Sequence, residues 1–183
     1  MATLIVEDGT KPVGANSYVS LEAADAYHAA YGNLDWPGDE SSEQKNQSLI
    51  LATQSVDLLY GPRYLSFVYP DTHQSLLFPR AWFTDNNGII VPENTIPVCL
   101  INAVCEVALM NLQGIDIIPV ESSANYIKAE SVKVGGVAIE QEYWLPKTQE
   151  SYEGFRKVDL LLYPILKTKS GSSGGYGMWR LIP

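Results

Sequence analysis

The sequence holds few side chains whose type and spacing could support catalysis or metal binding. Glu140 and Glu142 are two residues apart in a segment with the alternation of a β-strand, so both carboxylates would lie on one face. Such a pair could exchange a proton with a substrate or bind a hard cation. We interpret the pair as the exposed face of a strand, where two charged side chains are simply solvated.

Histidines and cysteines lack the partners that a reactive site needs. His28 and His73 have no second histidine or cysteine at ligand spacing, so a zinc site is not expected. Cys99 and Cys105 are separated by about 9 Å of rise in a predicted helix, too far for a disulfide, and we expect buried thiols. Dinucleotide-binding, phosphate-binding, nucleophile-elbow and zinc-protease motifs are missing from the sequence. We therefore predict no catalytic residue, no cofactor, no metal and no enzymatic activity, with His28 as a structural, hydrogen-bonded side chain.

Nucleic-acid binding is an alternative that the residue types leave open. Aromatic and basic side chains are interleaved in the C-terminal GYGMWRLIP and in a middle segment with Arg63, Tyr64, Arg80 and Trp82. Bases of a single strand could stack on the rings while the cations contact phosphates. The net charge of −9 opposes such binding, because an acidic protein repels the phosphate backbone. A single-stranded-DNA-binding replication accessory protein is therefore kept as the second hypothesis.

The charges are unevenly distributed along the 183 residues. Residues 1–60 carry two basic side chains against nine acidic ones, residues 61–146 carry four against nine, and residues 147–183 carry six against three. The acidic start and the basic end would attract one another between copies, or between this chain and a partner. Solvated faces explain the same distribution without any partner. The sequence has neither a run of eighteen apolar residues nor a signal peptide, so we predict a cytosolic protein without a membrane contact.

Cap residues predict where the first two helices begin and end. The first helix runs over residues 21–31, between an N-cap at Ser20 and a stop at Gly32. The second begins at a capping box formed by Ser41 and Gln44 and reaches residue 60. Apolar residues at helical spacing form the predicted core stripe of this second helix: Leu49, Ala52, Val56 and Leu59.

A long connection and a central helix follow. Residues 61–97 are rich in proline and include the turn sequence DNNG, so they predict an ordered crossing loop with large apolar side chains and no regular helix. The third helix starts at Pro97 and stops before Gly114. It is apolar around nearly its whole circumference, which predicts a place at the centre of the fold or at a subunit contact.

The C-terminal third predicts a hairpin, a helix and a tail. Alternating residues around Gly135 and Gly136 indicate a two-residue β-hairpin at about 130–143. A last helix covers roughly residues 151–167, with Pro164 near its end. Beyond it, a Ser/Gly spacer precedes an aromatic, basic and apolar tip that would be exposed unless another surface covers it.

Six stretches, in this order, resemble head-to-tail connector proteins of tailed bacteriophages. The stretches are NSYVSLEAADAYHA, LILATQSVDLLYG, LLFPRAW with DNNG, IPVCLINAVCEVAL, VKVGGVAIEQEY, and VDLLLYPIL with WRL. Sequences of this kind are labelled head–tail adaptor, head completion protein or DnaT-like single-stranded-DNA-binding protein. The resemblance covers most of the chain.

The resemblance implies a mainly α fold, a bundle of about four helices with a β-hairpin, a long ordered loop and an extended C-terminal tail. Residues 1–168 would form the connector body and residues 169–183 the spacer and docking tail. About twelve copies would form a ring beneath the portal protein and receive the next neck or tail-completion protein. Double-stranded DNA would pass through without specific binding. The protein would belong to the neck of the virion, assembled in the cytoplasm of the host bacterium.

Three regions are the predicted contact surfaces of such a ring: the tail tip, the hairpin and the long loop. The tip is the clearest, because a flexible spacer delivers an apolar segment to the edge or cleft of another chain. The predicted partner-binding residues are Tyr176, Met178, Trp179, Arg180, Leu181, Ile182, Val134, Val137, Ile139, Trp82 and Phe83.

Overall fold

The computed structural model describes residues 3–36, 41–68, 74–115, 117–118, 130–134, 137–141 and 149–167, with the backbone alone for 130–134, 137–141 and 149–154. In this part the chain forms four α-helices, two antiparallel pairs of strands and two short 3-10 turns. The predicted fold class, a mainly helical bundle with a hairpin, is confirmed.

The first helix, α1, spans Leu21–Tyr31 and begins and ends as its cap residues predict. The Ser20 side chain accepts a hydrogen bond from the backbone N–H of Ala23, and Gly32 adopts the left-handed conformation that closes a helix. Ala24 and His28 are buried on its inner face, whereas the Tyr31 ring is exposed at its end.

The second helix, α2, spans Ser42–Tyr60 and starts at a complete capping box. Leu49, Ala52 and Val56 are fully buried, as the periodicity predicts. The prediction that Leu59 belongs to the same stripe is wrong, because 41% of that side chain is exposed. The inward face of the last turn ends one residue later, at the buried Tyr60.

The third helix, α3, spans Val98–Leu112 and packs against α1, α2 and the C-terminal helix. Its central residues are almost all buried, which confirms the central position that its apolar circumference predicts. A carboxylate, Glu106, lies among these apolar neighbours. Val98 is exposed at the first turn, where no neighbouring helix covers it in the described part.

Between α2 and α3, the described residues 61–68 and 74–97 form a connection with a short hairpin that the sequence did not reveal. After a 3-10 turn at Gly61–Arg63, strand β1 (Phe83–Thr84) pairs with β2 (Ile90–Val91). The Asp85 carboxylate accepts hydrogen bonds from the N–H groups of Asn87 and Ile89 and so closes the DNNG turn. The Phe78–Pro79 peptide bond is cis.

The last described elements are a second hairpin and a helix. Strands β3 (Glu130–Val134) and β4 (Val137–Gln141) are antiparallel, which confirms the predicted hairpin. The helix α4 spans Gln149–Leu162 and is followed by a 3-10 turn at Tyr163–Ile165 that contains the proline. The chain then pairs with the start of the long connection, because Leu65 N–H bonds the Ile165 carbonyl and Lys167 N–H bonds the Arg63 carbonyl. Among the described helices, none is both long and apolar enough to span a bilayer.

Candidate interaction surfaces

The face of the β1–β2 hairpin that carries Trp82 is open to solvent. Side chains alternate across a strand, so Trp82 and Thr84 share a face with Ile90, the partner of Thr84. The Trp82 side chain is 65% exposed, and Ile90 is exposed to a similar degree. Trp82 is therefore accessible to a partner surface, and its role in binding one stays a prediction.

Phe83 points the other way and lies in the core. Only 8% of its surface is exposed, and its ring centroid is 6.4 Å from that of the buried Phe78. Its prediction as a partner-binding residue is corrected, because strand alternation turns it inward when Trp82 turns outward.

The remaining predicted contact residues fall on the hairpin and the tail. Val134 pairs with Val137, and Val132 pairs with Ile139, so these positions are placed on β3 and β4 by backbone register alone. Residues 168–183 lie outside the described part, and with them the tip residues Tyr176, Met178, Trp179, Arg180, Leu181 and Ile182. Their contacts stay predictions.

Two helices carry apolar side chains on their outer faces that sequence reasoning missed. Leu51 and Leu58 lie two turns apart on α2 and are 50% and 64% exposed. Leu160 and Tyr163 are similarly exposed at the end of α4. The signal was available, since residues spaced seven apart on a helix share a face. This pattern was hard to see in the sequence, because Leu51 and Leu58 are only one or two residues from core positions of α2.

The basic and aromatic residues of the long connection do not form an open stacking platform. Arg80 donates hydrogen bonds to the carbonyl oxygens of Leu65, Leu77 and Ser66, and so ties the connection to itself. Tyr64 is fully buried, and only Arg63 and Trp82 of the four candidate residues are on the surface. Stacking of bases needs exposed ring faces beside free cations. Two of the four side chains named for nucleic-acid contact are therefore structural.

Asp57 holds the connection in place from α2. Its Oδ2 accepts hydrogen bonds from the Tyr18 hydroxyl at 2.7 Å and from the Leu77 N–H at 3.1 Å, and Oδ1 accepts a longer bond from Tyr64. Burial raises the pKa of Asp57 above its ordinary value, although the hydrogen bonds oppose that rise. The carboxylate is thus a partly buried anchor with a structural role.

The residues weighed for redox or metal chemistry are packed side chains. Burial raises the pKa of Cys99 to about 11 and that of Cys105 to about 12, so both thiols are protonated and unreactive at neutral pH. His28 stacks on Trp36, shares a hydrogen bond with Asn33 through Nδ1, and interacts with the backbone of Cys105. Burial lowers the pKa of His28, which keeps the ring neutral. Within the described ranges, no group of three or more metal-binding side chains comes together.

A sequence profile of the family described as “Putative DnaT-like ssDNA binding protein” matches residues 2–181. The chain belongs to this family. Membership in the DnaT-like family confirms one of the labels to which the sequence motifs pointed, over nearly the whole chain. No curated protein and no solved structure gives a significant match.

The DnaT-like family description names single-stranded DNA as the ligand, whereas the described surface of this member carries few cations for it. Lys45 pairs with Asp25 at 3.2 Å, and Lys157 pairs with Glu106 at 2.6 Å. Arg80 is held by carbonyl groups. Arg63, Arg156 and Lys167 are exposed, as are apolar side chains on α2, α4 and the β1–β2 hairpin.

Proposed function

We propose that this chain is a structural assembly protein, a head–tail adaptor that forms a ring below the portal of a tailed phage. In this role the helical body supplies the ring contacts, the neck neighbours bind its two ends, and double-stranded DNA passes through the centre. The order of the sequence motifs supports the proposal, as does a fold in which a helical body carries a hairpin and a C-terminal segment.

The outward apolar side chains of the body are the observation that carries the proposal. Leu51 and Leu58 on α2, Leu160 on α4 and Trp82 on the hairpin are each at least half exposed in a single copy. A closed ring buries the same small contact once per subunit, so modest contacts suffice for a stable assembly.

The charge of the chain suits a channel that DNA must traverse. A net charge of −9 lowers adhesion to the phosphate backbone, so DNA can move without being held. The same charge weakens the case for a protein whose task is to hold single strands.

The test is binding to the portal protein encoded in the same genome. Purified portal rings are mixed with the full chain, and the complex is measured by its mass and imaged by electron microscopy. We expect a coaxial ring with several copies of the chain per portal. Failure of the two proteins to bind at any stoichiometry would contradict the adaptor role.

Single-stranded DNA binding is the second candidate, and the family description favours it. It predicts that a labelled oligonucleotide binds at low salt, that affinity falls steeply as salt rises, and that Trp82 fluorescence is quenched. Trp82→Ala and Arg63→Gln would then weaken binding, because these two side chains are on the surface. We expect no binding of the oligonucleotide at low salt. If the parent binds with an affinity that falls as salt rises, and both variants lose that binding, single-stranded DNA binding replaces the adaptor proposal.

A further inference from the structure

An apolar cavity lies between the N-terminal segment, the start of α1 and the approach to α3. Its volume is about 400 Å³. The segment at residues 6–8 forms one wall, and Ile96 with Ile101 forms another. Gly9 holds the two walls together, since its backbone passes so close to the Asn94 carbonyl that any side chain there would collide with it. The cavity is lined by Val6, Glu7, Asp8, Tyr18, Val19, Ser20, Ala23, Asn94, Thr95, Ile96 and Ile101.

A buried carboxylate in this lining is only half satisfied. The Glu7 side chain is 1% exposed, and its Oε1 accepts hydrogen bonds from the N–H groups of Gly9 at 2.9 Å and Lys11 at 3.0 Å. The other oxygen, Oε2, is buried and has no hydrogen-bond partner in the described part. Leaving a buried carboxylate oxygen unpaired is costly, so a donor that reached it after a shift of the cavity lining would bind with a gain.

The rim adds the negative charge of Asp8. Hydrogen bonds from Thr10 lower the pKa of Asp8, which lines the same cavity and is ionised at neutral pH. Apolar walls with two carboxylates at one side select a ligand that combines a large apolar group with a cation. An arginine flanked by aromatic and aliphatic side chains has this chemistry, because its guanidinium pairs with carboxylates while its neighbours fill the apolar space.

This chain contains such a segment. Arg180 stands between Trp179 and Leu181 in GYGMWRLIP. Arg80 also follows apolar residues, but its guanidinium is bonded to carbonyl groups of its own loop. From Lys167 to Arg180 the chain has thirteen residues, which span about 45 Å when extended.

We infer that the cavity at Glu7 and Asp8 receives the C-terminal tip of a neighbouring copy, with the Arg180 guanidinium on Glu7 and Asp8. This inference rests on the proposed assembly role and names a recipient for the tip other than the portal. The tip of each copy then closes the acidic cavity of the next, which joins the basic end of one chain to the acidic start of another.

The first test uses a labelled peptide with the sequence GGYGMWRLIP and the full-length Arg180→Glu chain, whose own tip cannot compete. We expect saturable binding, with NMR shifts at the cavity residues. Arg180→Gln in the peptide, or Glu7→Gln or Asp8→Asn in the chain, should weaken binding by about tenfold or more. Asp35→Asn removes the same charge far from the cavity, at the contact with Gln113, and should leave affinity unchanged. The inference is overturned if the peptide does not bind. It is also overturned if Glu7→Gln, Asp8→Asn and the control Asp35→Asn weaken binding equally.

The second test decides whether the tip belongs to the same copy or to another. Full-length Asp8→Lys chains should fail to associate, because the new lysine faces Arg180. Full-length Arg180→Glu chains should fail as well, because the new glutamate faces Asp8. In a mixture of the two, the lysine introduced at position 8 of one chain meets the glutamate introduced at position 180 of the other. The unchanged Asp8 and Arg180 also meet across the two chains. We therefore expect the mixture to associate again, as measured by sedimentation. The double variant Asp8→Lys, Arg180→Glu carries both changes in one chain. If this variant stays monomeric and NMR shifts still show an occupied cavity, the tip binds the cavity of its own copy, and the inference is overturned.

The two tests separate this inference from the proposed function. If the peptide fails to bind but the full chain still forms a ring on the portal, only the recipient of the tip is wrong. If the peptide binds and the chain never joins a portal ring, the cavity assignment holds and the adaptor role fails.

Discussion

The Nζ of Lys157 on α4 lies 2.6 Å from Oε1 of Glu106 in the middle of α3. The same carboxylate oxygen accepts a hydrogen bond from the Tyr27 hydroxyl of α1 at 2.7 Å. One buried acid therefore joins three helices of the bundle. Burial, and after it the hydrogen bond to Glu106, raises the pKa of Tyr27, so the hydroxyl remains a protonated donor at neutral pH.

Removing the acid should cost more than removing its cation. Glu106→Leu removes the acceptor of the Tyr27 hydroxyl and the partner of Lys157, and we expect the free energy of unfolding to fall by about 2 kcal/mol. Lys157→Met should cost only about 0.5–1 kcal/mol, because 55% of that side chain is in water, which screens the pair. Urea denaturation measures both. Arg156→Met, next to it on α4, is the control and should stay within about 0.5 kcal/mol of the parent. If Lys157→Met and Arg156→Met lower the free energy of unfolding equally, the ion pair with Glu106 does not stabilise the fold.

The charge on Asp57 should make stability depend on pH. Because the folded pKa lies above the ordinary value of 3.8, the protonated form favours the fold, and that contribution is lost as pH rises through the folded pKa. We expect the parent to lose stability relative to Asp57→Asn as pH rises from about 4 to about 7. Urea denaturation of both proteins across this range measures the difference. A difference that stays constant or moves the other way would contradict the assigned shift.

Charge on the outer face of α2 should block assembly without harming the fold. Leu58→Lys places a cation where the side chain is already exposed, so the unfolding free energy should change by less than about 0.5 kcal/mol. Ring formation on the portal should be lost, since a charge cannot be buried there unpaired. Leu49→Ala, on the inner face of the same helix, should behave in the opposite way and cost about 2–5 kcal/mol. Normal rings from the Leu58→Lys protein would remove α2 from the contact surfaces.

Deleting residues 171–183 should leave the helical body intact. The four helices already share one buried core cluster formed among the described residues. We expect an unchanged thermal midpoint and a soluble protein that no longer assembles, measured by calorimetry and by sedimentation with portal present. Normal portal complexes from the shortened chain would exclude the tail as a contact element.

Local signals predicted the helices well because caps act within a few residues. Ser20, Gly32 and the capping box at Ser41 place the ends of α1 and the start of α2 where the structure has them. The inward face was harder to predict, since it depends on which neighbour covers each turn. Leu59 is exposed for this reason, and the two-residue strands β1 and β2 escaped notice because so short a run has no clear alternation.

The candidate sites were less predictable than the elements. Trp82 was named and is exposed, but its neighbour Phe83 is buried, a difference that only the strand orientation decides. Glu7, Asp57 and Glu106 look like any other acids in the sequence. Their burial follows from contacts between residues far apart along the chain, so no local pattern could identify them.

Imaging of the particle neck at a resolution that traces helices tests the central claim most directly. The adaptor proposal predicts a closed ring beneath the portal in which the body formed by α1–α4 repeats around the axis. It is contradicted if the mature particle contains no copy of this chain at its neck.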